Sequence, residues 1–307
     1  MSTRRDRRRL VAAAHRAIAS RAPSLAFATK LLGRRQREHG WLLYAWCRAA
    51  ADLVRGPDLE AGLDQFRTKT AIALDGGKSG DAAFDGLALL IAEAGIPADY
   101  PRLVVDGLAM DAADFRPHDE AALFRYCHLV AGVPAVMAAI ACGVAADDAA
   151  TLGRAADLGI GCRLAAIARD ISVDAASDRC YLPDGWLSEM DIPPGEHMKP
   201  PYRKRLAVLA QRLASHAEGF LGSAREGVAA LPFRLAWVTL TVISVHRDIL
   251  EDVIARREHG WDHRPTSGSL DRIDKAMVSG ILALLRRKLA PPEPAEPPWR
   301  ADRPEPA

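Results

Sequence analysis

Two stretches of this 307-residue chain carry side chains whose types and spacing suit the chemistry of anions and hard cations. In the first, Tyr44, Arg48, Ala51 and Arg55 recur at i, i+4, i+7 and i+11 and so share one face of a helix. That face offers a phenol and two guanidiniums among small residues, with Asp52 about one residue's rotation away. Guanidinium forks match phosphate oxygens in bidentate geometry. Arg55 equally suits the last turn of a helix that stops at Gly56-Pro57, where the dipole favours a cation, and both readings stand. In the second stretch, Arg163, Ala166, Asp170 and Asp174 share a face. Two carboxylates four residues apart repel by about 0.2–0.5 kcal/mol on an exposed helix unless a cation sits between them. Mg²⁺ takes one or two carboxylates together with substrate phosphate oxygens, which makes Asp170 and Asp174 candidate metal ligands. Surface helices produce many such pairs, so the pair alone is weak. Followed by Asp178-Arg179-Cys180-Tyr181-Leu182-Pro183, it becomes a far rarer combination.

The elements that must hold these residues are helices. Alanine is abundant, helix-period apolar patterns recur from Leu10 to Leu289, and alternating strand patterns are nearly absent, so the fold class is all-α. Turn residues punctuate the pattern at Gly56-Pro57, Gly76-Gly77, Gly95-Ile96-Pro97, Pro193-Pro194-Gly195 and Pro200-Pro201. No fixed repeat and no linker between independent cores is visible, so a single helical domain is expected over residues 20–290. Residues 291–307 are too rich in proline to pack and read as an extended or disordered tail. Residues 1–19 form a basic start in which Arg4, Arg5, Arg7, Arg8 and Arg9 crowd around one acid. Such an end is expected to be solvated, and it can also touch anionic lipid.

Composition excludes several classes. Hydrophobic residues at 49% and charged residues at 26% are enough to bury a sizeable core, and a net charge of only +2 gives no global argument for nucleic acid. His15 and Arg16 interrupt the first apolar stretch before it reaches the length of a secretory signal. No uninterrupted apolar run approaches the ~18 residues that span a bilayer. Cys47, Cys127, Cys142, Cys162 and Cys180 have no metal-ligand spacing and read as reduced thiols of a cytoplasmic protein.

Taken in order, these segments resemble the signatures of the squalene/phytoene synthase family, and most of all its bacterial phytoene synthases. Tyr44-Ala45-Trp46-Cys47-Arg48 matches the YAWCR motif that precedes the family's first aspartate-rich motif. Asp106 to Asp111 is similar to its G-x-x-M-D helix, and Tyr126 to Gly132 resembles its YCYxVAG motif. Arg169-Asp170 with Asp174, then Arg179 to Pro183, matches the second aspartate motif and its RxYLP continuation. Leu231-Pro232, Ala236-Trp237 and Trp261-Asp262 follow in order. The resemblance implies an isoprenoid-synthase helical bundle around a central hydrophobic cavity. It implies a prenyltransferase that joins two geranylgeranyl diphosphates head to head, through prephytoene diphosphate, to phytoene in carotenoid biosynthesis. Mg²⁺ held by the aspartate motifs would help the diphosphate leave, and the apolar cavity would keep water from the carbocation. Carried over residue by residue, Tyr44, Arg48, Asp170 and Asp174 are the expected catalytic set. Arg48, Arg55, Arg163, Arg169 and Tyr181 are expected on the substrate side, with Asp170 and Asp174 on the metal. Lys30 also matches, against an equal reading as a surface lysine.

The sequence departs from the family where the metals bind. Ala51 and Arg55 stand at the first and last acidic positions of the first motif, leaving only Asp52. Arg163 and Ala166 replace a glutamine and an asparagine, Pro23 stands where a lysine near Ser24 is common, and His246 stands where tyrosine is usual, one residue before Arg247. A unit charge about 5 Å from another is worth about 3 kcal/mol at an effective dielectric of 20. Gaining guanidiniums and losing carboxylates therefore disfavours metal at the first motif, and Mg²⁺ occupancy is expected to fall below that of the family. Three functions follow: the phytoene reaction; a catalytically degenerate paralogue that binds prenyl diphosphate or partners an active synthase; or a squalene- or hydroxysqualene-type reaction. Insoluble products make peripheral contact with the inner face of the membrane an expectation of the resemblance.

Overall fold

The computed structural model describes residues 3–22, 26, 29–56, 58–262, 279, 280 and 282–284. The proline-rich segment 291–307, and the positions Pro23 and Ser24, lie outside the described residues. Among the described residues these α-helices run in order: α1 (Arg4–Arg21), α2 (Arg34–Val54), α3 (Leu59–Leu74), α4 (Ala82–Ala94), α5 (Asp99–Ala112), α6 (Glu120–Cys127), α7 (Val133–Ala141), α8 (Ala149–Ala175), α9 (Asp184–Glu189), α10 (Arg203–Glu226) and α11 (Phe233–Arg256). The described residues contain no strand, and the fold is all-α. They gather into two compact units, one made of the residues up to Ala113 with Val133–Ala156, the other of Asp114–Gly132 with the residues from Asp157 on.

The first unit is built around α2. Leu42, Leu43, Trp46 and Ala50 recur at helical spacing and are buried against Phe66, Phe84, Leu87, Leu90, Val104 and Met137. Trp46 is fully enclosed beside Phe66, its indole N–H donating to Thr70 Oγ1 at 3.4 Å, and Phe66 meets Phe84 edge-on. The basic start is not simply a solvated end. Thr3 and Asp6 form a capping box that opens α1, and Leu10, Ala14 and Ile18 line up as its buried face. The boundary expected at residues 19–20 thus falls inside a packed helix. Arg4, Arg5, Arg8 and Arg9 are exposed, as expected. Arg7 differs: it reaches Glu93 at 2.7 and 3.0 Å and Glu38 at 2.7 Å, and His39 joins Glu93 at 3.1 Å and the Ala141 carbonyl at 3.0 Å. A charged cluster so sheltered holds α1 down because each group has a hydrogen-bonded partner.

The second unit is built around α8 and α10. Ile160, Leu164 and Ile167 of α8 are buried, as are Leu213, Phe220 and Leu221 of α10. Asp157, wholly buried on α8, accepts a short hydrogen bond from Ser223 of α10. Between α6 and α7 the helix widens into a π turn, His128–Gly132. The ring of Pro134 would press on the carbonyl four residues back in a regular helix, and the wider turn relieves that clash. Gly159 of α8 lies against this turn so closely that an added Cβ would stand 2.2 Å from the Ala131 carbonyl oxygen, so only glycine fits. Glu120–Ala141 is the one helical stretch among the described residues long and apolar enough to cross a membrane, and most of it is buried within the protein.

Candidate functional site

On α2, Tyr44, Arg48, Ala51 and Arg55 fall on one face as their spacing requires. Arg48 donates a short hydrogen bond to Asp52 Oδ1, and Arg21, from the last turn of α1, stands 4.0 Å from the same oxygen. The Arg48 Nε is buried and has no hydrogen-bond partner. Arg55 caps the helix, exposed, its guanidinium 3.5 Å from the Ala51 carbonyl oxygen. Tyr44 is half-buried, and burial raises its phenol above the ordinary value while the Arg48 charge opposes this. Beside Asp52 a cavity of about 340 Å³ opens among Ala17, Ser20, Arg21, Ala45, Arg48 and Ala49. The Mg²⁺ that the resemblance implies does not fit here. The Ala51 methyl offers no oxygen, the Asp52 carboxylate is engaged by the guanidiniums of Arg48 and Arg21, and Arg55 adds a third positive charge at this end of the helix. The arrangement suits an anion instead.

The α8 face differs. Arg169 grips Asp170 with two hydrogen bonds of 2.8 and 2.6 Å, and the pair is sheltered, Asp170 being only 9% exposed. Asp174, one turn on, is half-exposed, and its carbonyl accepts from the backbone N–H of Ser177 and of Arg179, both at 2.9 Å. These bonds fold the chain back at Asp178, which takes a left-handed φ of 56°, and lead into the RxYLP-like stretch that carries the buried Tyr181. Tyr181 stacks on Tyr126 at 5.1 Å, and Phe115 stacks on the same Tyr126 at 5.2 Å. Arg163 lies against this stack, donating to the Tyr126 hydroxyl at 2.9 Å with its guanidinium 5.1 Å from the Tyr181 ring. Among the described residues no three His, Cys, Asp or Glu side chains come together as a metal cage. Asp170 and Asp174 supply as many carboxylates as a Mg²⁺ completed by water and substrate phosphate oxygens needs, but Arg169 holds both oxygens of Asp170, so an ion there would have to displace that guanidinium.

Three other features bound the chemistry. Burial pushes the thiols of Cys47, Cys127 and Cys162 up to about 12 and that of Cys142 to about 11, so none of these is a thiolate nucleophile. His246 on α11 donates from Nδ1 to the Val242 carbonyl at 2.8 Å, and burial, together with the charge of Arg169, holds its imidazole below the ordinary value. Trp261 donates to the Ala168 carbonyl at 2.9 Å and so steadies the backbone that presents Arg169. Arg21, the second guanidinium on Asp52, was not foreseen: nothing local links a residue at the end of one helix to an acid on the next. Tyr126 was visible only inside its motif, with no sign that it receives Arg163. Lys30 is exposed.

The fold and this sheltered guanidinium–carboxylate face define an all-helical protein built like the isoprenoid synthases. Among solved structures, a dehydrosqualene synthase superimposes with a TM-score of 0.83 at 19% identity, covering 92% of this chain and 99% of that one. The squalene synthase of Alicyclobacillus acidocaldarius superimposes at 0.71 with 20% identity, covering 84% and 97%. At such identities the likeness speaks for the fold alone. The sequence model of squalene/phytoene synthase matches residues 18–272. The 15-cis-phytoene synthase of Pantoea ananas is 35% identical over 285 residues, 89% of this chain and 92% of that protein. The phytoene synthase of Pseudescherichia vulneris is 34% identical over 291 residues, 91% and 94% respectively. The chain belongs to the squalene/phytoene synthase family.

Proposed function

We propose that this protein is a phytoene synthase-like prenyltransferase, joining two molecules of geranylgeranyl diphosphate head to head through prephytoene diphosphate to phytoene. The observation that carries the reading is the α8 face: Arg169 bound to a sheltered Asp170, with Asp174 one turn away and Tyr181 folded back onto Tyr126. Relatives that share this length of chain at 34–35% identity are named phytoene synthases, which supports the same substrate class. Asp170 and Asp174 would hold Mg²⁺, and the ion would supply Lewis acidity to the departing diphosphate. Arg48 and Arg55 of α2 would bind diphosphate oxygens directly, and Tyr44 and Tyr181 would border the substrate. Work in the cytoplasm, in contact with the inner face of the membrane that receives the product, belongs to the same reading.

A second reading has its own observation. Ala51, Arg55 and the capture of Asp52 by Arg48 and Arg21 leave α2 unable to hold metal, which favours a paralogue that binds prenyl diphosphate or accompanies an active synthase without turning it over. Incubation of the purified protein with labelled geranylgeranyl diphosphate and Mg²⁺, followed by product analysis, separates the two. Phytoene supports the first. Bound but unconverted substrate supports the second, and a squalene-type product would overturn both.

A further inference from the structure

We propose that Arg169 is a latch on the candidate metal site, an inference that rests on the reading of Asp170 and Asp174 as Mg²⁺ ligands for a prenyl diphosphate. Arg169 occupies Asp170 until a diphosphate takes its guanidinium, and the carboxylate opens to Mg²⁺ only in that exchange. The latch is built from neighbours in sequence. Arg169 and Asp170 follow one another in α8, and the fork closes on both carboxylate oxygens, Nε to Oδ1 at 2.8 Å and Nη2 to Oδ2 at 2.6 Å. The pair is sheltered, its side chains 23% and 12% exposed. Behind it the Trp261 indole N–H holds the Ala168 carbonyl at 2.9 Å, so the backbone is fixed and the exchange falls to the Arg169 side chain.

Charge and shelter make the two binding events depend on each other. Mg²⁺ meets a carboxylate oxygen at about 2.0–2.1 Å, which would set a dication beside a guanidinium already closed on the same group. In a sheltered site the two cations repel with little screening. Nor can Arg169 simply let go, because a guanidinium left there without an anion has its desolvation uncompensated. A diphosphate removes both obstacles. Its oxygens match the guanidinium fork, so Arg169 trades one bidentate partner for another and leaves Asp170 open toward the metal. Asp52 on α2 makes the contrast. Arg48 and Arg21 hold it too, but its side chain is 47% exposed and that of Arg21 59%, so water solvates whichever group is released. Exposure therefore puts the coupling at Asp170 and not at Asp52. Coupling of this kind is reciprocal: the factor by which diphosphate raises metal affinity is the factor by which metal raises diphosphate affinity.

Metal binding, not turnover, carries the test. Mn²⁺ stands in for Mg²⁺, its free concentration counted by electron paramagnetic resonance with and without inorganic pyrophosphate, against protein-free controls. Wild type is compared with Arg169→Met, Arg169→Lys and the double variant Arg169→Met/Asp170→Asn. Without pyrophosphate, Arg169→Met should bind Mn²⁺ about 10-fold or more tighter than wild type, within the ordinary range of coupling between sites. Arg169→Lys, which keeps the charge but not the fork, should gain less. The double variant should lose the gain, which puts the ion on Asp170. Because the expected effect is a gain, a failure to fold cannot imitate it. Equal Mn²⁺ affinity in wild type and both Arg169 variants overturns the latch. So does a gain that survives Asp170→Asn, or a wild type that binds Mn²⁺ as tightly without pyrophosphate as with it. The expected gain in a protein that forms no phytoene in the labelled assay supports the latch and overturns the condensing reading, so the two fail separately. Binding of neither Mn²⁺ nor pyrophosphate by any form overturns the metal reading, and the latch falls with it.

Discussion

Diphosphate should stabilise this protein in the complete absence of Mg²⁺, through the guanidiniums at the end of α2. The structure gives the scale. Arg48 has an Nε buried without a partner, Arg55 is exposed two turns on, and the Asp52 carboxylate partly neutralises Arg48 and Arg21. A unit pair about 5 Å apart is worth about 3 kcal/mol at an effective dielectric of 20, and solvent at exposed positions reduces this to about 1 kcal/mol. Removing Arg48 or Arg55 should therefore cost about 1–2 kcal/mol of binding, roughly a 5- to 30-fold rise in Kd. Ligand at a hundredfold excess over Kd stabilises by about 2.7 kcal/mol, which in a chain of this size raises the melting temperature by about 5 °C. Differential scanning fluorimetry with pyrophosphate in EDTA measures it directly, with Arg48→Ala and Arg55→Ala each losing about a third to two thirds of the shift at the same ligand concentration. Placing Asp at Ala51 and Arg55, with Gln and Asn at Arg163 and Ala166, should make the shift depend on Mg²⁺. A shift that appears only with Mg²⁺ in the natural protein would refute the reasoning, because it would mean that metal, not guanidinium, carries the anion.

Asp170→Asn should lower Mg²⁺-dependent product formation at least about 100-fold, since several kcal/mol of charge stabilisation goes with the metal, while pyrophosphate binding in EDTA persists. Arg7→Met should destabilise the fold by about 1–3 kcal/mol in chemical denaturation, because it leaves Glu38 with Arg34 and Glu93 with His39 as their remaining partners. The pH dependence has a definite sign. The Arg7 guanidinium holds the Glu93 carboxyl below its ordinary value, and at Glu38 burial pushes upward but Arg7 and Arg34 outweigh it. Their contribution is thus present above the ordinary carboxylate range and is lost as pH falls through it, and Arg7→Met should flatten that loss. Gly159→Ala should cost about 1–3 kcal/mol, read as a lowered melting temperature, because the α8 backbone must retreat from the π turn.

Much of this was legible in the residues. The helical class followed from periodicity, and the α2 and α8 faces emerged as their spacing demands because helix geometry is local. The role of α1 was not legible. Its string of arginines looks solvated, and only the folded chain brings Glu38 and Glu93, 31 and 86 residues away, to Arg7. The same holds for Arg21 and Asp52. The departures at Ala51 and Arg55 could be read as a loss of metal ligands, but that Asp52 would be captured twice over depends on the packing of α1 against α2. The resemblance puts Arg163 on the substrate side. Its seat against Tyr126 and Tyr181 is set by the turn at Asp178, whose left-handed backbone no helical pattern announces.

The π turn between α6 and α7 also says where this chain tolerates a change of length. An α-helix turns by about 100° per residue, so losing one residue within α6 or α7 swings every later side chain away from the surface it covers. Within His128–Gly132 the ladder already holds one residue more than a regular turn needs. A one-residue deletion there can close the ladder into ordinary helix while Tyr126 on one side and Met137 on the other keep their orientation, provided Pro134 is replaced as well. Natural sequences that differ in length by one residue along this helix should have their gap in those five positions.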